Sequence, residues 1–543
     1  MDSKEKDLLL SHSRWLAHML VQIEKGRFGL VLGAGVSKPL NFPNWGQLVE
    51  RIAKHPEVQG EHILSSAGRN LSETSKTQML FLHYRTKNLE KTNEQLTSKS
   101  ERRIQGQWRR IIHSALYEGV SSDPTELRDR HPYLKEWIPV ILKSGMTVNY
   151  NFDDTIQQLI ILDKPAHPGT VRAFETVWNA YLPFRSESAI LYHPNGFLPR
   201  NLLENPSESL VFSEESFADQ LIESMAGHHA SLIHHLSKTT CIFIGLSLSD
   251  PTLRHLLRQS AVINPGHYHY YVQHMRPGDK RDVEVERSVR DANFEVYNLI
   301  TLFLNDEEIA ALGRLLTLDN GPLLKESEEL GAELSYVFYL SGPIGAGKTT
   351  TLGYFGSFKT YEEWTEVRRT ELAKPWKDLT KVEREFVDDW IARQFEIRNT
   401  ILIKHEVGIH ICDRTPLDPI CFNEDSEVPA KARFLAEHLR PGKSGRKAQG
   451  GKVILLIGTP DELEARVVGR HKQSPSALIA DLQQRLQRIF SRTANVAVVD
   501  TSGMSIPQVV KQVSRIVLLD EYAPFNLADR LVELEKNGLS TSE

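Results

Sequence analysis

Two glycine-bearing turns, each following an apolar strand-like run, carry the residue types best suited to chemistry in this chain. In the first, Phe28-Gly29-Leu30-Val31-Leu32 leads into Gly33-Ala34-Gly35-Val36-Ser37. A glycine turn between strand and helix lets the backbone approach a pyrophosphate and aims helix N–H groups at it. A tight turn with no ligand would have the same sequence. In the second, Val337-Phe338-Tyr339-Leu340 leads into Gly342-Pro343-Ile344-Gly345-Ala346-Gly347-Lys348-Thr349, with Thr350 next. This is a complete P-loop pattern: its N–H groups wrap phosphates, Lys348 reaches the β and γ phosphates, and Thr349 can ligate Mg²⁺.

Other reactive residues also follow strand-like runs. Asn149-Tyr150-Asn151-Phe152-Asp153-Asp154 sets a carboxamide beside carboxylates, and Tyr192-His193-Pro194-Asn195-Gly196 offers an imidazole. Gly245-Leu246-Ser247-Leu248-Ser249-Asp250-Pro251 reads as a loop opening a helix. Taken in order, and with Pro43 and Trp45 after the first turn, these motifs resemble the sirtuin-like NAD-binding domains of bacterial antiphage defence proteins, over roughly residues 20 to 315.

The resemblance implies that Gly33, Ala34 and Gly35 with Ser37 hold the NAD phosphates and that Trp45 joins the binding set. It places Asn151 and Asp153 beside the nicotinamide ribose, and Gly245, Ser247 and Asp250 at the adenosine side. Breaking the nicotinamide–ribose bond builds oxocarbenium-like charge, which a carboxamide and a carboxylate can stabilise while ordering a water. A histidine in reach can accept a proton. The histidine usual in such domains directly precedes a glycine, and here that position is Asn195. His193, two residues earlier and on the same side of an extended chain, is the substitute candidate. Protein-deacylating sirtuins generally carry a zinc ribbon of two cysteine pairs. Cys241, Cys412 and Cys421 are the only cysteines, and the defence-type relatives hydrolyse NAD instead, so the resemblance implies NAD hydrolysis above deacylation.

In the second half, Ile409-His410-Ile411-Cys412 runs into Asp413-Arg414-Thr415. A strand ending in Asp-Arg-Ser/Thr is similar to deoxynucleoside and nucleoside monophosphate kinases, which implies Asp413 near Mg²⁺ or the acceptor and Arg414 on a phosphate. Arg466 and Arg470, four apart on a helix, resemble the lid arginines of such kinases, with a solvated basic helix as the alternative. The basic stretch Arg440–Lys447 reads as a loop, more readily solvated than touching nucleic acid or phosphates. Glu362 or Glu363 lies where some of these kinases keep a catalytic acid, yet Tyr361-Glu362-Glu363-Trp364 reads equally as a helix start.

The elements that must position these residues read as α/β throughout. The expected architecture is a Rossmann-like, sirtuin-type parallel sheet over residues 1–318 with a helical insertion at about 50–135, a linker at 319–334, and a P-loop kinase-like α/β domain over 335–543. In the first half a helix is expected over Leu8–Ile23, strands at 28–32, 139–142, 189–192, 240–245 and 268–272, and a closing helix at 301–318. In the second half strands are expected at 336–340, 409–412, 453–457 and 496–499. Strands alternating with helical stretches indicate a parallel doubly wound sheet.

A chain of 543 residues exceeds one ordinary core. Its net charge of −5 gives no basic excess that would call for a nucleic-acid partner. No apolar run approaches the roughly 20 residues of a membrane span, and the charged start Met1–Asp7 has no signal-peptide core, so a reducing cytoplasm is expected. The whole pattern implies an antiphage effector that hydrolyses NAD to nicotinamide and ADP-ribose. Its gate would be a nucleotide, ATP or another with Mg²⁺, or a phage-derived trigger at the P-loop domain. The alternative is an active (deoxy)nucleotide kinase whose first half senses NAD. A homo-oligomer is expected because relatives of this effector often assemble.

Overall fold

The computed structural model describes residues 1–66, 71–164, 173–178, 188–204, 206–208, 210–225, 230–248, 250–373, 378–439, 448–469, 474–490 and 495–539. The chain divides into two compact units. Unit 1 comprises Met1–Leu8, Gln22–Ile263 and Tyr268–Leu318; unit 2 comprises Leu9–Val21, Asn264–His267 and Asp319–Glu543.

Unit 1 is built on a seven-stranded, all-parallel sheet of β1 (Phe28–Leu32), β2 (Met146–Asn149), β3 (Phe174–Val177), β4 (Ala189–Tyr192), β5 (Thr240–Ile244), β6 (His269–His274) and β7 (Leu299–Leu304). The order is β3-β4-β2-β1-β5-β6-β7. Every residue of β1, β2, β4, β5 and β7 is buried, as expected of parallel strands covered on both faces. The chain leaves β1 towards β2 on one side and later returns to pair β5 with β1 on the other. The carboxyl ends of β1 and β5 therefore flank the point where winding reverses, the place where open parallel sheets form a crevice.

Two expectations for this half are corrected. Pro139–Leu142 is not a strand but lies at the end of the helix Leu134–Lys143. Its four apolar residues in a row imitate a buried strand. Leu134, Trp137, Ile138 and Ile141 nevertheless recur at helical spacing and are buried, and the Trp137 indole donates to Ile309 O at 3.0 Å. The residues expected to form one closing helix begin in β7, and the helix is only Asp306–Leu315. The stretch expected as a linker contains the helix Asn320–Leu330, ended by Gly331 in the left-handed conformation. The stretch expected as a helical insertion holds the helices Trp45–Lys54, Glu61–Ser66, Glu73–Thr92, Ser98–Tyr117 and Pro124–Arg130. It has its own core, in which Ile52, Leu80 and Trp108 pack with Phe152, Leu198 and Phe212.

Unit 2 holds a five-stranded parallel sheet of β8 (Ser335–Ser341), β9 (Lys359–Tyr361), β10 (Gly408–Asp413), β11 (Lys452–Ile457) and β12 (Val496–Asp500), ordered β12-β11-β8-β10-β9. Here the reversal falls between β8 and β11, where the P-loop emerges. Residues of the first helix, Ser3–Glu24, belong to this unit's packing: Leu9, Leu16, Ala17 and Met19 are buried. Arg14 donates to Val517 O (3.1 Å) and Asp520 O (2.7 Å), and the Trp15 indole donates to Leu518 O (2.8 Å). These are the carbonyls that a helix C-terminus otherwise leaves without partners, at the end of the helix Ile506–Leu518.

A fragment beginning at Asp319 lacks those caps and the apolar face beneath them. We expect it to unfold at a lower temperature than unit 2 of the intact chain, and an added peptide of residues 3–24 to recover part of the difference. Differential scanning calorimetry checks this, and equal melting of the fragment without peptide would refute it.

Candidate functional site

Three glycines make the crevice of unit 1 by allowing two strand-end loops to touch. A Cβ on Gly33 would stand 2.7 Å from Gly245 O, and one on Gly35 would stand 2.7 Å from Gly245 Cα. Gly245 itself has φ +70°. The Gly33 and Gly35 N–H groups donate to Ile244 O (3.0 Å) and Gly245 O (2.8 Å), and Val36 N–H donates to Gly33 O (2.9 Å). Much of the turn's donor capacity is thus used to seal β1 against β5 rather than aimed at a pyrophosphate. Ala34 and Gly35 remain on the exposed lip.

Ser37 lies behind this lip, 5 % exposed, and the resemblance implied that it would bind phosphates. Instead its hydroxyl donates to Asp153 Oδ2 at 2.9 Å and accepts from Asn151 Nδ2 at 3.0 Å. Asn151 Nδ2 also donates to Gly33 O at 3.0 Å, and Thr155 N–H donates to Asp153 Oδ1 at 3.0 Å. The two predicted residues of the Asn-aromatic-Asp motif are therefore brought together through a serine. With its nitrogen committed twice, the Asn151 carboxamide has a fixed orientation. Burial raises the Asp153 carboxyl above its ordinary range, and the donors Thr155 and Ser37 oppose that.

His193 does not reach this network with a ring nitrogen to spare. A carbonyl can only accept, so Nδ1–H donates to Asn151 O (2.8 Å), and Nε2 then accepts from Gln157 Nε2 (2.9 Å). Fully buried, the ring is held neutral with its pKa pushed down to about 4. It supports the Asn151 backbone, and in this geometry it is not poised as a proton acceptor. Asn195, at the position where the resemblance places a histidine, is 6 % exposed and donates to Tyr150 O at 3.3 Å.

The remaining expected NAD-binding residues are more dispersed. Asp250 accepts from Leu253 N–H at 3.2 Å, at the start of the helix Pro251–Ile263, and Ser247 is exposed. Trp45 stacks on Phe212 with ring centroids 5.1 Å apart and meets Phe217 edge-on. Sequence reading missed His131, whose Nδ1 accepts from Leu134 N–H at 2.9 Å and whose Nε2 donates to Val36 O at 2.6 Å. Burial pushes its pKa down to about 4. Only its place before a helix could have signalled this role.

In unit 2 the P-loop follows β8. Gly342 has φ +148°, and a Cβ there would run into Leu456 O of β11. Gly345 and Gly347 are also left-handed, at φ +84° and +91°. Lys348 Nζ donates to Gly342 O (2.7 Å) and Pro343 O (2.9 Å). Burial first, and Arg414 second, bring its pKa down to about 8. Thr349 Oγ1 donates to Asp413 Oδ2 at 2.5 Å. Asp413 is 0 % exposed, and its Oδ1 has no hydrogen-bond partner.

Arg414 adopts φ +64° and lies between two acids, with Nε 2.5 Å from Glu363 Oε1 and NH1 3.4 Å from Asp418 Oδ2. Burial lowers its pKa, but Glu363, Asp418 and Asp413 together outweigh that and hold it above the ordinary value. The segment Tyr361–Trp364 is therefore no helix start: it leaves the short β9 and delivers Glu363 to Arg414. Arg398, missed by sequence reading, donates to Asp413 O (2.7 Å) and Arg414 O (2.7 Å) and holds this turn. Arg466 donates to Thr501 Oγ1 (3.0 Å) and Thr501 O (2.8 Å), so the structure ties it to the turn after β12. Thr350 sits in the short helix Lys348–Leu352. Arg470, Ser249 and the Arg440–Lys447 loop lie outside the described residues.

His131 and His193 give the fold a pH dependence with a defined sign. Each is neutral when folded and has a pKa near 6.5 when unfolded. Their contribution is therefore complete above pH 6.5 and is lost as pH falls towards 4, by up to about 3 kcal/mol each. We expect denaturant-derived stability of unit 1 to fall over that window. The slope should lessen by close to one proton in His131→Gln, and an unchanged slope would show that His131 does not titrate this way.

Comparison with known proteins agrees with part of this picture. No curated protein matches the chain. Among solved structures, a thymidylate kinase from Candida albicans is weakly similar, at 15% identity and a TM-score of 0.22, covering 35% of this chain and 98% of the kinase. No helix among the described residues is long and apolar enough to cross a membrane. Residues 145–297, which include Asn151, Asp153, His193 and the Gly245–Asp250 loop, match the SIR2-like domain family, a likeness consistent with an NAD-dependent enzyme.

Proposed function

We propose that unit 1 hydrolyses NAD to nicotinamide and ADP-ribose, and that a nucleotide or phage-derived signal at the P-loop of unit 2 controls it in antiphage defence. The observation that carries the proposal is the Asn151–Ser37–Asp153 chain beside the winding reversal of a sheet whose larger part matches a SIR2-like domain. With its nitrogen committed to Gly33 O and Ser37 Oγ, the Asn151 amide would offer its carbonyl oxygen to a ribose hydroxyl or a water. The Asp153 carboxylate, a short step behind, favours positive charge developing on the ribose. Cleavage breaks the C–N bond to nicotinamide, the water oxygen adds to the ribose carbon, and one proton is released. Because charge stabilisation dominates such a step, the engagement of His193 in two hydrogen bonds does not count against it.

The P-loop residues fit a nucleotide with Mg²⁺. Thr349 and the Asp413 oxygen that lacks a partner would hold the ion, which would draw in charge from the phosphates, while Lys348 would exchange its contacts with loop carbonyls for phosphate oxygens. That oxygen also supports the second reading, an active (deoxy)nucleotide kinase whose unit 1 senses NAD. A ligand that binds two states of a fused chain unequally shifts their populations, so control needs no more than differential affinity. Cytoplasmic residence and a homo-oligomer belong to the same proposal.

Nicotinamide release by the purified chain, with and without a panel of nucleotides, separates the readings. Release that depends on one nucleotide, falls at least 100-fold in Asn151→Ala and loses its nucleotide response in Lys348→Ala is the expected result. Phosphoryl transfer with no nicotinamide release under any condition would overturn it in favour of the kinase.

A further inference from the structure

The helix Ser98–Tyr117 of the insertion places Arg109, His113 and Tyr117 four residues apart along one face. All three dock on the chain that follows β4. Arg109 NH1 donates to Ser207 O at 2.7 Å, and His113 Nε2 lies 2.9 Å from Arg200 O. Tyr117, at the end of the row, does something the other two do not. Its hydroxyl lies 3.0 Å from Asp154 Oδ1 and 2.9 Å from Leu198 O. One phenol thus ties the loop bearing Asn151 and Asp153 to the loop bearing Asn195.

The surroundings reinforce this join. Leu198 N–H donates to Phe152 O at 2.8 Å, and Arg200 N–H donates to Asp154 Oδ2 at 3.1 Å. The Arg200 guanidinium lies 4.6 Å over the Tyr117 ring and donates to Ser121 O at 2.6 Å, just beyond the same helix. Phe152, between the two candidate catalytic residues, is packed in the insertion's core and not in that of the sheet.

From this geometry we infer that Tyr117 is a positioning residue for the reaction at Asn151 and Asp153, and that the helical insertion sets that loop through Asp154. The inference rests on the NAD-hydrolysis reading for its catalytic consequence, though not for the tether itself. Removing the hydroxyl leaves the ring packed but deprives the buried Asp154 oxygen and the Leu198 carbonyl of their shared donor. A buried acceptor without a partner drives local rearrangement, and here the rearranged loop carries the site.

The test compares Tyr117→Phe with Arg109→Ala in the full chain. We expect Tyr117→Phe to lower kcat for nicotinamide release at least tenfold with KM changed less than twofold, and to speed amide hydrogen exchange at residues 150–155 and 196–200 together. Arg109→Ala, which loses a contact of the same row away from Asp154, should lower the melting temperature while leaving kcat within twofold. Equal kcat losses in the two variants would reduce Tyr117 to general stability and overturn the inference, as would unchanged exchange in both loops. If the wild type releases no nicotinamide, the parent reading fails. Hydrogen exchange then decides the tether: faster exchange in both loops supports it, and unchanged exchange overturns it.

Discussion

A buried carboxylate, 3 % exposed, is the constraint around which unit 1 is arranged. Asp153 must be satisfied inside the protein, since an ionised group without donors is far too costly to bury. The donors identified are a hydroxyl and a backbone N–H, Ser37 Oγ and Thr155 N. Ser37 spends its one proton on Asp153, so its buried oxygen needs a donor of its own, and Asn151 Nδ2 supplies it. That requirement fixes the distance between the turn after β1 and the loop after β2. The same turn is seated against the loop after β5 by the glycines at 33, 35 and 245, and His131 holds its Val36 carbonyl.

Unit 2 is also an open parallel sheet with a winding reversal, but its strand order and its chemistry differ. Its buried acid, Asp413, ends β10, which pairs with β8, the strand that leads into the P-loop glycine turn. Arg398, reaching across from the helix Lys381–Leu402, holds the carbonyls of Asp413 and Arg414. This supports the left-handed backbone at Arg414, a conformation that costs a non-glycine residue about 1–2 kcal/mol. The guanidinium so presented meets Glu363 and Asp418, so the charges of this cleft are closely balanced.

Much of the scaffold was legible because buried parallel strands are short apolar runs and glycine turns punctuate them: β1, β4, β5, β8, β10 and β11 all read this way. What escaped has a physical reason in each case. β2 is only Met146-Thr147-Val148-Asn149, with half its residues polar, and the neighbouring Pro139–Leu142 imitates a strand better. β3 and β9 are four and three residues long. At the site, the sequence shows that Asn151, Asp153 and Ser37 are polar residues near strand ends, but not that one hydroxyl joins them. Nor does it show that both nitrogens of His193 are engaged, because Gln157 lies a helix away. Tyr117, His131 and Arg398 act across long sequence separations, and nothing in their local spacing marks them.

The two buried acids differ in a way that bears on what each is for. Both oxygens of Asp153 receive donors from the protein, one from Thr155 N and one from Ser37 Oγ. Asp413 has one oxygen satisfied by Thr349 and the other without a partner. An acid completed by its own fold is set to hold geometry and to act through its charge. An acid left with one oxygen unpartnered beside the P-loop carries a desolvation cost that a cation or donor placed there would remove. The first acid is thus held by a complete set of donors and the second is not, an asymmetry in line with the division of roles proposed for the two units.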